Sequence, residues 1–368
     1  MRSKRAVIHV AEVEIRPESG MGRVAWHWKQ AFERRGYEFI HIGLSEAGKL
    51  WHPTVFPKAA YSAYQRLGKQ GDLFLVHEPA SAAFVKRGIP TVVFSHGLER
   101  RGAQLMARFP EKRPVSKRIR SMLTAPLWRL RSYSCDKGLR NATAALLINQ
   151  EDAAFARSYY GLTEDRCFVF ENGVNFPTAH SEQRTSHSRS VLFLGSWLKR
   201  KGTEALARTA ALLHARHVAV DWVLAGTGRD EADVLAEWPV ELRAQTTVIP
   251  KFPEFEEPKI FSECGIFVLP SLFEGQPLSL LQAMSYGKCC IASNCCGQKD
   301  LIQHGLNGFL HEPNDAEGLA ALIQKAIEYP TLVFRLGQNA ARSVADRSWE
   351  TVSDKVVSYV ETLLQMDR

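Results

Sequence analysis

Short runs of apolar residues alternate with longer amphipathic stretches whose apolar positions recur every three or four residues. Runs of four or five apolar residues bounded by turn formers predict buried strands, and the stretches between most of them predict helices. The expected strands cover 6–10, 39–42, 73–76, 91–94 and 144–148, then 191–194, 221–225, 247–249, 265–269 and 288–292. Repetition of such βα units predicts an α/β protein built on parallel sheets. Residues 178–190 are polar and aperiodic, which marks them as a linker between domains at 1–177 and 191–345. In 346–368, Val352, Val356, Tyr359, Val360, Leu363 and Leu364 share one side of a helix, so a terminal helix packed across both domains is expected.

A chain of 368 residues exceeds the size at which one core keeps growing, which agrees with two domains. With 45% hydrophobic and 23% charged residues, the composition is that of an ordinary folded protein. There is no run of about 18 apolar residues and no recognisable leader, and the seven cysteines form no disulfide framework pattern. A cytoplasmic protein is expected. The doublet Cys289-Cys290 falls in an apolar run and reads as strand core rather than as a metal site.

The net charge of +8 is concentrated: 98–140 holds twelve Lys or Arg against Glu99, Glu111 and Asp136. Ile119, Met122, Leu123, Leu127, Leu130 and Tyr133 recur there near helical spacing, with Trp128 beside Leu127. Two readings stay open: a helix packed on its own domain with cations outward, or a basic stretch, 100–140, facing an anionic membrane surface. Nucleic acid is not expected, because no binding motif accompanies the charge.

Ligands of doubly wound domains sit at the carboxyl ends of strands, where loops and helix starts present N–H groups. Four segments occupy such positions. Gly20-Met21-Gly22 precedes a helical stretch, and its glycines would let backbone approach an anion. Ser95-His96-Gly97 ends a strand, and His96 could serve a substrate hydroxyl or a proton transfer. Gly195-Ser196-Trp197-Leu198-Lys199-Arg200-Lys201-Gly202 carries three consecutive cations, suited to clamping a diphosphate. Pro270-Ser271-Leu272-Phe273-Glu274-Gly275-Gln276-Pro277 leads into a helix whose early N–H groups, at Leu278 and Ser279, lack intrahelical partners. Glu274 could orient a polyol, and Gln282 could hold a diol through its amide.

Taken in order, these segments resemble the retaining glycosyltransferases of family 4, which have the GT-B fold. The most specific part is Pro270-Ser271, Glu274-Gly275, Leu281-Gln282-Ala283-Met284 and Gly287; Glu171-Asn172-Gly173, Gly226-Thr227-Gly228 and Asn307-Gly308 support it. The resemblance implies two Rossmann-like domains facing across a cleft, with a C-terminal helix crossing back to the first. It implies catalytic roles for His96 and Glu274. Gly20, Gly22, Ser196, Lys201, Gly275, Leu278, Ser279 and Gln282 would bind the donor. The implied reaction moves a sugar from a UDP- or GDP-sugar to a saccharide or lipid-linked saccharide in cell-surface polysaccharide or glycoconjugate synthesis, with peripheral attachment at the inner face of a membrane. No cofactor or metal is implied, and the chain contains no Asp-x-Asp triplet.

Three positions depart from the family pattern. The second acidic position is Gln282, which predicts weaker donor binding or an altered nucleotide preference. Ser196 stands where a basic residue is usual, leaving the clamp to Lys201 with Arg200 or Lys199. Pro277 removes one amide from the phosphate-facing turn. The same architecture also serves nucleotide-sugar epimerases and would persist in a binding protein without catalysis.

Overall fold

The structure, a computed structural model, describes residues 5–366 except 19, 111–114 and 178–188, and only the backbone of 115–121 and 366. The expected linker therefore lies outside the described residues, apart from Arg189 and Ser190, and Ser190 already opens a strand.

The chain divides into two compact units, one formed by 1–172 with 349–368 and the other by 173–348. In the first, β1 (Ala6–Val10), β2 (Glu38–Ile42), β3 (Leu73–His77), β4 (Val92–Ser95), β5 (Ala144–Leu147) and β6 (Cys167–Val169) form a sheet in the order β2-β1-β3-β4-β5-β6. In the second, β7 (Ser190–Leu194), β8 (Asp221–Ala225), β9 (Thr246–Ile249), β10 (Ile266–Leu269), β11 (Cys289–Ser293) and β12 (Phe309–His311) are ordered β12-β11-β10-β7-β8-β9. Every pairing in both sheets is parallel.

Parallel strands are covered on both faces, which is why they read as continuous apolar runs. In β7, Val191 and Phe193 enter a core with Trp197, Trp222 and Trp238, while Leu192 and Leu194 enter another with Phe267, Leu269 and Met284. The five cysteines of this unit, at 264, 289, 290, 295 and 296, are all buried.

Each strand order reverses once, between β1 and β3 in the first unit and between β7 and β10 in the second. Helices following neighbouring strands leave the sheet on opposite faces at such a point, so a crevice opens at the strand ends. The loops after these four strands are thereby singled out.

The terminal helix Trp349–Met366 belongs to the first unit. Trp349 stacks on His27 at 4.4 Å, Arg34 and Arg35 pair with Asp354 and Glu361 at 2.9 and 2.6 Å, and Tyr359 stacks on Phe168 at 4.6 Å.

The basic stretch supplies the helix Glu99–Ala107 and most of the helix Val115–Arg140. Its cations are not uniformly outward. Arg131, only 8% exposed, lies between Glu12 and Glu99, each at 2.6 Å, and Arg101 meets Asp152 at 2.7 Å. Arg100 pairs with Asp136. Arg131, Cys135 and Leu139 are buried, whereas Met122, Leu123, Leu130 and Tyr133 are 58–75% exposed. At 100° per residue those four fall within an arc of about 100°. The apolar spacing that could have packed the helix on its own domain is thus mostly solvent-facing. Lys112 and Arg113 lie outside the described residues, and the side chains of Lys117, Arg118, Ile119 and Arg120 are not described.

Candidate functional site

In the second unit, the loops after β7 and β10 meet at the switch point. Lys201 lies in a single turn of 3-10 helix, Lys199–Lys201, closed by Gly202 in the left-handed region at φ +74°. A Cβ on Gly202 would sit 1.9 Å from the Pro270 carbonyl oxygen, so only glycine lets this turn pack against the end of β10. Leu272 N–H also donates to the Arg200 carbonyl at 2.7 Å, which ties the two loops together.

From the other side, the helix Cys296–Leu301 supports the 270–276 loop. The Gln298 amide donates to the Leu269 and Ser271 carbonyls at 3.3 Å, and Gly297 lies so close to Gly275 that a Cβ would come within 1.8 Å of its carbonyl oxygen. Two glycines and a buried glutamine fix the loop.

This packing places the Glu274 carboxylate, 8% exposed, against Lys201 Nζ at 2.6 Å and Arg200 at 3.1 Å. The expected clamp and the expected sugar-facing carboxylate are therefore one ion cluster. Lys199 instead faces Glu204, at 3.1 Å. Ser196 is exposed on the same loop.

Pro277 is the residue before the helix Leu278–Ser285, and no side chain caps that helix. The N–H groups of Leu278 and Ser279 thus open the helix beside the Glu274 loop. Gln282, one turn on, is 9% exposed, and its Nε2–H donates to Glu257 at 2.7 Å.

In the first unit the switch point holds a narrow pocket lined by His9, Ala11, Val13, Met21, Trp28, His77 and His96, among others. His96 and the Gly20–Gly22 segment are brought together here through Met21. Gly20 and Gly22 do not form a loop, however: the helix Gly20–Arg34 begins at Gly20, and a Cβ there would meet open space. What glycine contributes at the helix start is access rather than an unusual backbone.

Burial sets the protonation of this pocket. It lowers the His96 imidazole to about 4 and holds His9 and His77 well below the usual range, with neighbouring histidines adding to the effect. All are neutral near pH 7. His41 Nε2 must donate to the Val13 carbonyl at 2.9 Å, so its Nδ1 accepts from His9 Nδ1 at 2.9 Å. The loop carrying His96 is fixed from beneath by Glu78, which accepts from Ser95 Oγ at 2.8 Å and from Glu99 N–H at 3.2 Å. Burial, with Glu99 nearby, pushes the Glu78 carboxyl up to about 8.

His9, His77, Glu78 and Glu257 were not among the residues expected from the sequence. His9 and His77 lie inside strands, where a histidine reads as one more core position. Glu257 lies 25 residues from its partner, on another element.

Residues 177–343 match the family described as Glycosyl transferases group 1, across the unit that holds Lys201, Glu274 and Gln282. The match takes in nearly half of the chain. Among its curated relatives within glycosyltransferases is N,N'-diacetylbacillosaminyl-diphospho-undecaprenol alpha-1,3-N-acetylgalactosaminyltransferase of Campylobacter jejuni, 26% identical over 234 residues, 60% of each chain. The chain spans about half to three fifths of the length of the first such relatives.

Solved structures of the same fold include sucrose-phosphate synthase of Thermosynechococcus elongatus, with a TM-score of 0.79 at 17% identity over 99% of this chain and 100% of that one. Anabaena HepE in complex with UDP and glucose gives a TM-score of 0.70 at 15% identity over 97% of this chain and 100% of that one. At such identities the likeness shows the fold, and it is the GT-B fold of glycosyltransferases.

Proposed function

We propose that the protein is a retaining glycosyltransferase that moves a sugar from a UDP- or GDP-sugar to a saccharide or lipid-linked saccharide during cell-surface polysaccharide or glycoconjugate assembly. The observation that carries this reading is the Glu274–Lys201–Arg200 cluster at the open start of the helix Leu278–Ser285. Two cations and uncapped N–H groups suit a diphosphate leaving group, and a carboxylate beside them suits the hydroxyls of the sugar it carries.

In this mechanism Lys201, Arg200 and the amides of Leu278 and Ser279 stabilise the charge that develops on the departing diphosphate. Gly275 lets the backbone lie close to the donor, and Glu274 faces the sugar as it gains oxocarbenium character. Lys201 supplies the positive charge, so the reaction needs no metal or other cofactor. His96, neutral at working pH, acts through a hydrogen bond rather than as an acid. Ser196 and Gln282 complete the donor contacts that the second unit offers.

A lipid-linked acceptor is supported by the diphospho-undecaprenol in the name of the Campylobacter relative and by the outward face of Met122, Leu123, Leu130 and Tyr133 within a basic stretch. Such a face suits the boundary of an anionic bilayer and supports a cytoplasmic protein held at the inner membrane surface. Among the described residues no helix is long and apolar enough to cross a membrane.

The test is incubation with UDP- and GDP-sugars and lipid-linked acceptors, reading nucleotide release and the anomeric configuration of the product. Acceptor-dependent release with retention is expected, and Lys201→Ala should lower it by about 10²–10³-fold. Binding without turnover on every acceptor would instead indicate a non-catalytic binding protein, and interconversion of the nucleotide-sugar an epimerase. For the membrane face, Met122, Leu123 and Leu130 all changed to Ser should abolish sedimentation with anionic vesicles. Unchanged sedimentation would refute that part.

A further inference from the structure

The side chain of Gln282 is committed in a way that changes what it can offer. Its Nε2–H donates to Glu257 Oε2 at 2.7 Å, so the amide is oriented with Oε1 as its remaining acceptor and a carboxylate alongside. The two helices that carry them, Glu257–Ser262 and Leu278–Ser285, are fixed against each other by Phe261, which stacks on Tyr286, the residue that ends the second, at 4.6 Å and 13°. The pair is therefore built, not a chance meeting of long side chains. It also lies one turn, about 6 Å, along the helix from the N–H groups of Leu278.

A site with cations and amide donors at one end and a neutral amide oxygen beside a carboxylate at the other has a definite chemical complement. It is a molecule with a diphosphate at one end and paired hydroxyl donors a ring away. Hydroxyl groups held by a carboxylate are bound more strongly than by neutral acceptors, because the hydrogen bonds are charge-assisted.

We infer that Glu257 is a donor-binding residue that, together with Gln282, binds the 2′,3′-diol of the nucleotide's ribose. This rests on the reading of the second unit as a nucleotide-sugar site. It also reverses the consequence drawn from Gln282 alone. The carboxylate has not been lost from the site but stands on the neighbouring helix, with the amide as its partner. Restoring glutamate at 282 would set two carboxylates 2.7 Å apart, where they cannot both stay ionised.

The experiment is isothermal titration of UDP and GDP, and of their 2′,3′-dideoxy forms, into the full chain and three variants: Glu257→Gln, Gln282→Glu and the double exchange. Thermal melting of each variant verifies folding. Each single variant should bind the better ribonucleotide about tenfold more weakly and the dideoxy form as wild type does. The double exchange, which restores one carboxylate and one amide, should return to within about threefold of wild type. If wild type prefers the ribonucleotide and Glu257→Gln keeps that preference, the role of Glu257 is overturned while the nucleotide-sugar reading stands. A wild type that binds UDP or GDP no better than its dideoxy form overturns it equally. Wild type that binds neither UDP nor GDP overturns both.

Discussion

Replacing Gly202 by alanine tests whether the contact between the two switch-point loops of the second unit builds the site. Two penalties coincide. The backbone at 202 has φ +74°, a conformation costing an L-residue about 1–2 kcal/mol. The new Cβ would also lie 1.9 Å from the Pro270 carbonyl oxygen, so one loop must retreat by about 1 Å or more. Strain of that kind costs a further 1–3 kcal/mol or so, giving a loss of about 2–5 kcal/mol if the contact is kept. If the loops separate instead, stability falls less, but Lys201 leaves Glu274.

Urea denaturation and nucleoside diphosphate titration distinguish these outcomes, and either one supports the argument. Displacement of a clamp by about 1 Å is enough to cost a hundredfold in rate, so turnover should fall even where the fold survives. A Gly202→Ala protein within about 0.5 kcal/mol of wild type in stability, with unchanged affinity and rate, would refute it.

Other sites give sharper single readouts. Gly297→Ala forces a Cβ to within 1.8 Å of the Gly275 carbonyl oxygen and should reduce turnover with little effect on the first unit, checked by kinetics and by proteolysis of each unit. Arg131→Met leaves Glu12 and Glu99 facing each other without their buried cation and should destabilise the first unit by about 3–5 kcal/mol in urea titrations. Acid should also remove the stability that the neutral histidines of this pocket contribute. Burial lowers His96 to about 4 from 6.5, so the unfolded chain takes up a proton first, and stability held above about pH 6.5 is lost as the pH falls towards 4. At pH 5 this amounts to about 1–2 kcal/mol for His96, the lower figure allowing for its partial exposure, and His9 and His77 act in the same direction. Buried Glu78, raised to about 8, acts in the opposite sense, so the assay compares wild type with His96→Gln: a difference in urea midpoint that is the same at pH 7.5 and 5.0 would contradict it.

Ten of the twelve strands among the described residues were legible because buried parallel strands leave continuous apolar runs, and the two missed, β6 and β12, are three-residue edge strands too short to make one. The second unit's site loops were legible for a related reason: Gly195 and Pro270, immediately after such runs, mark the strand ends where a crevice can open. Charge was less legible. The twelve cations of the basic stretch look alike in sequence, yet Arg100, Arg101 and Arg131 neutralise acids that lie 32 to 119 residues away or on neighbouring helices. Pairing depends on which elements the sheet order brings together, and no local pattern carries that. The same reason hid Glu257, whose position beside Gln282 arises only when two helices dock through Phe261 and Tyr286.

The Glu274 cluster has an electrostatic consequence for how a donor would be bound. One carboxylate shared by Lys201 and the more exposed Arg200 leaves a local excess of one positive charge, held by bonds of 2.6 and 3.1 Å. A diphosphate carries more negative charge than the carboxylate and offers more acceptor oxygens, so it competes effectively for both cations. Glu274, once displaced from them, is still fixed by the loop that Gln298 and Gly297 brace, and its acceptors turn to sugar hydroxyls. Affinity for a nucleoside diphosphate and positioning of the sugar are then coupled through one side chain. Glu274→Gln should therefore separate them: the amide competes less for Lys201, so UDP or GDP should bind at least as tightly as in wild type while turnover collapses. Parallel loss of binding and rate would show instead that Glu274 serves only to hold the two cations in place.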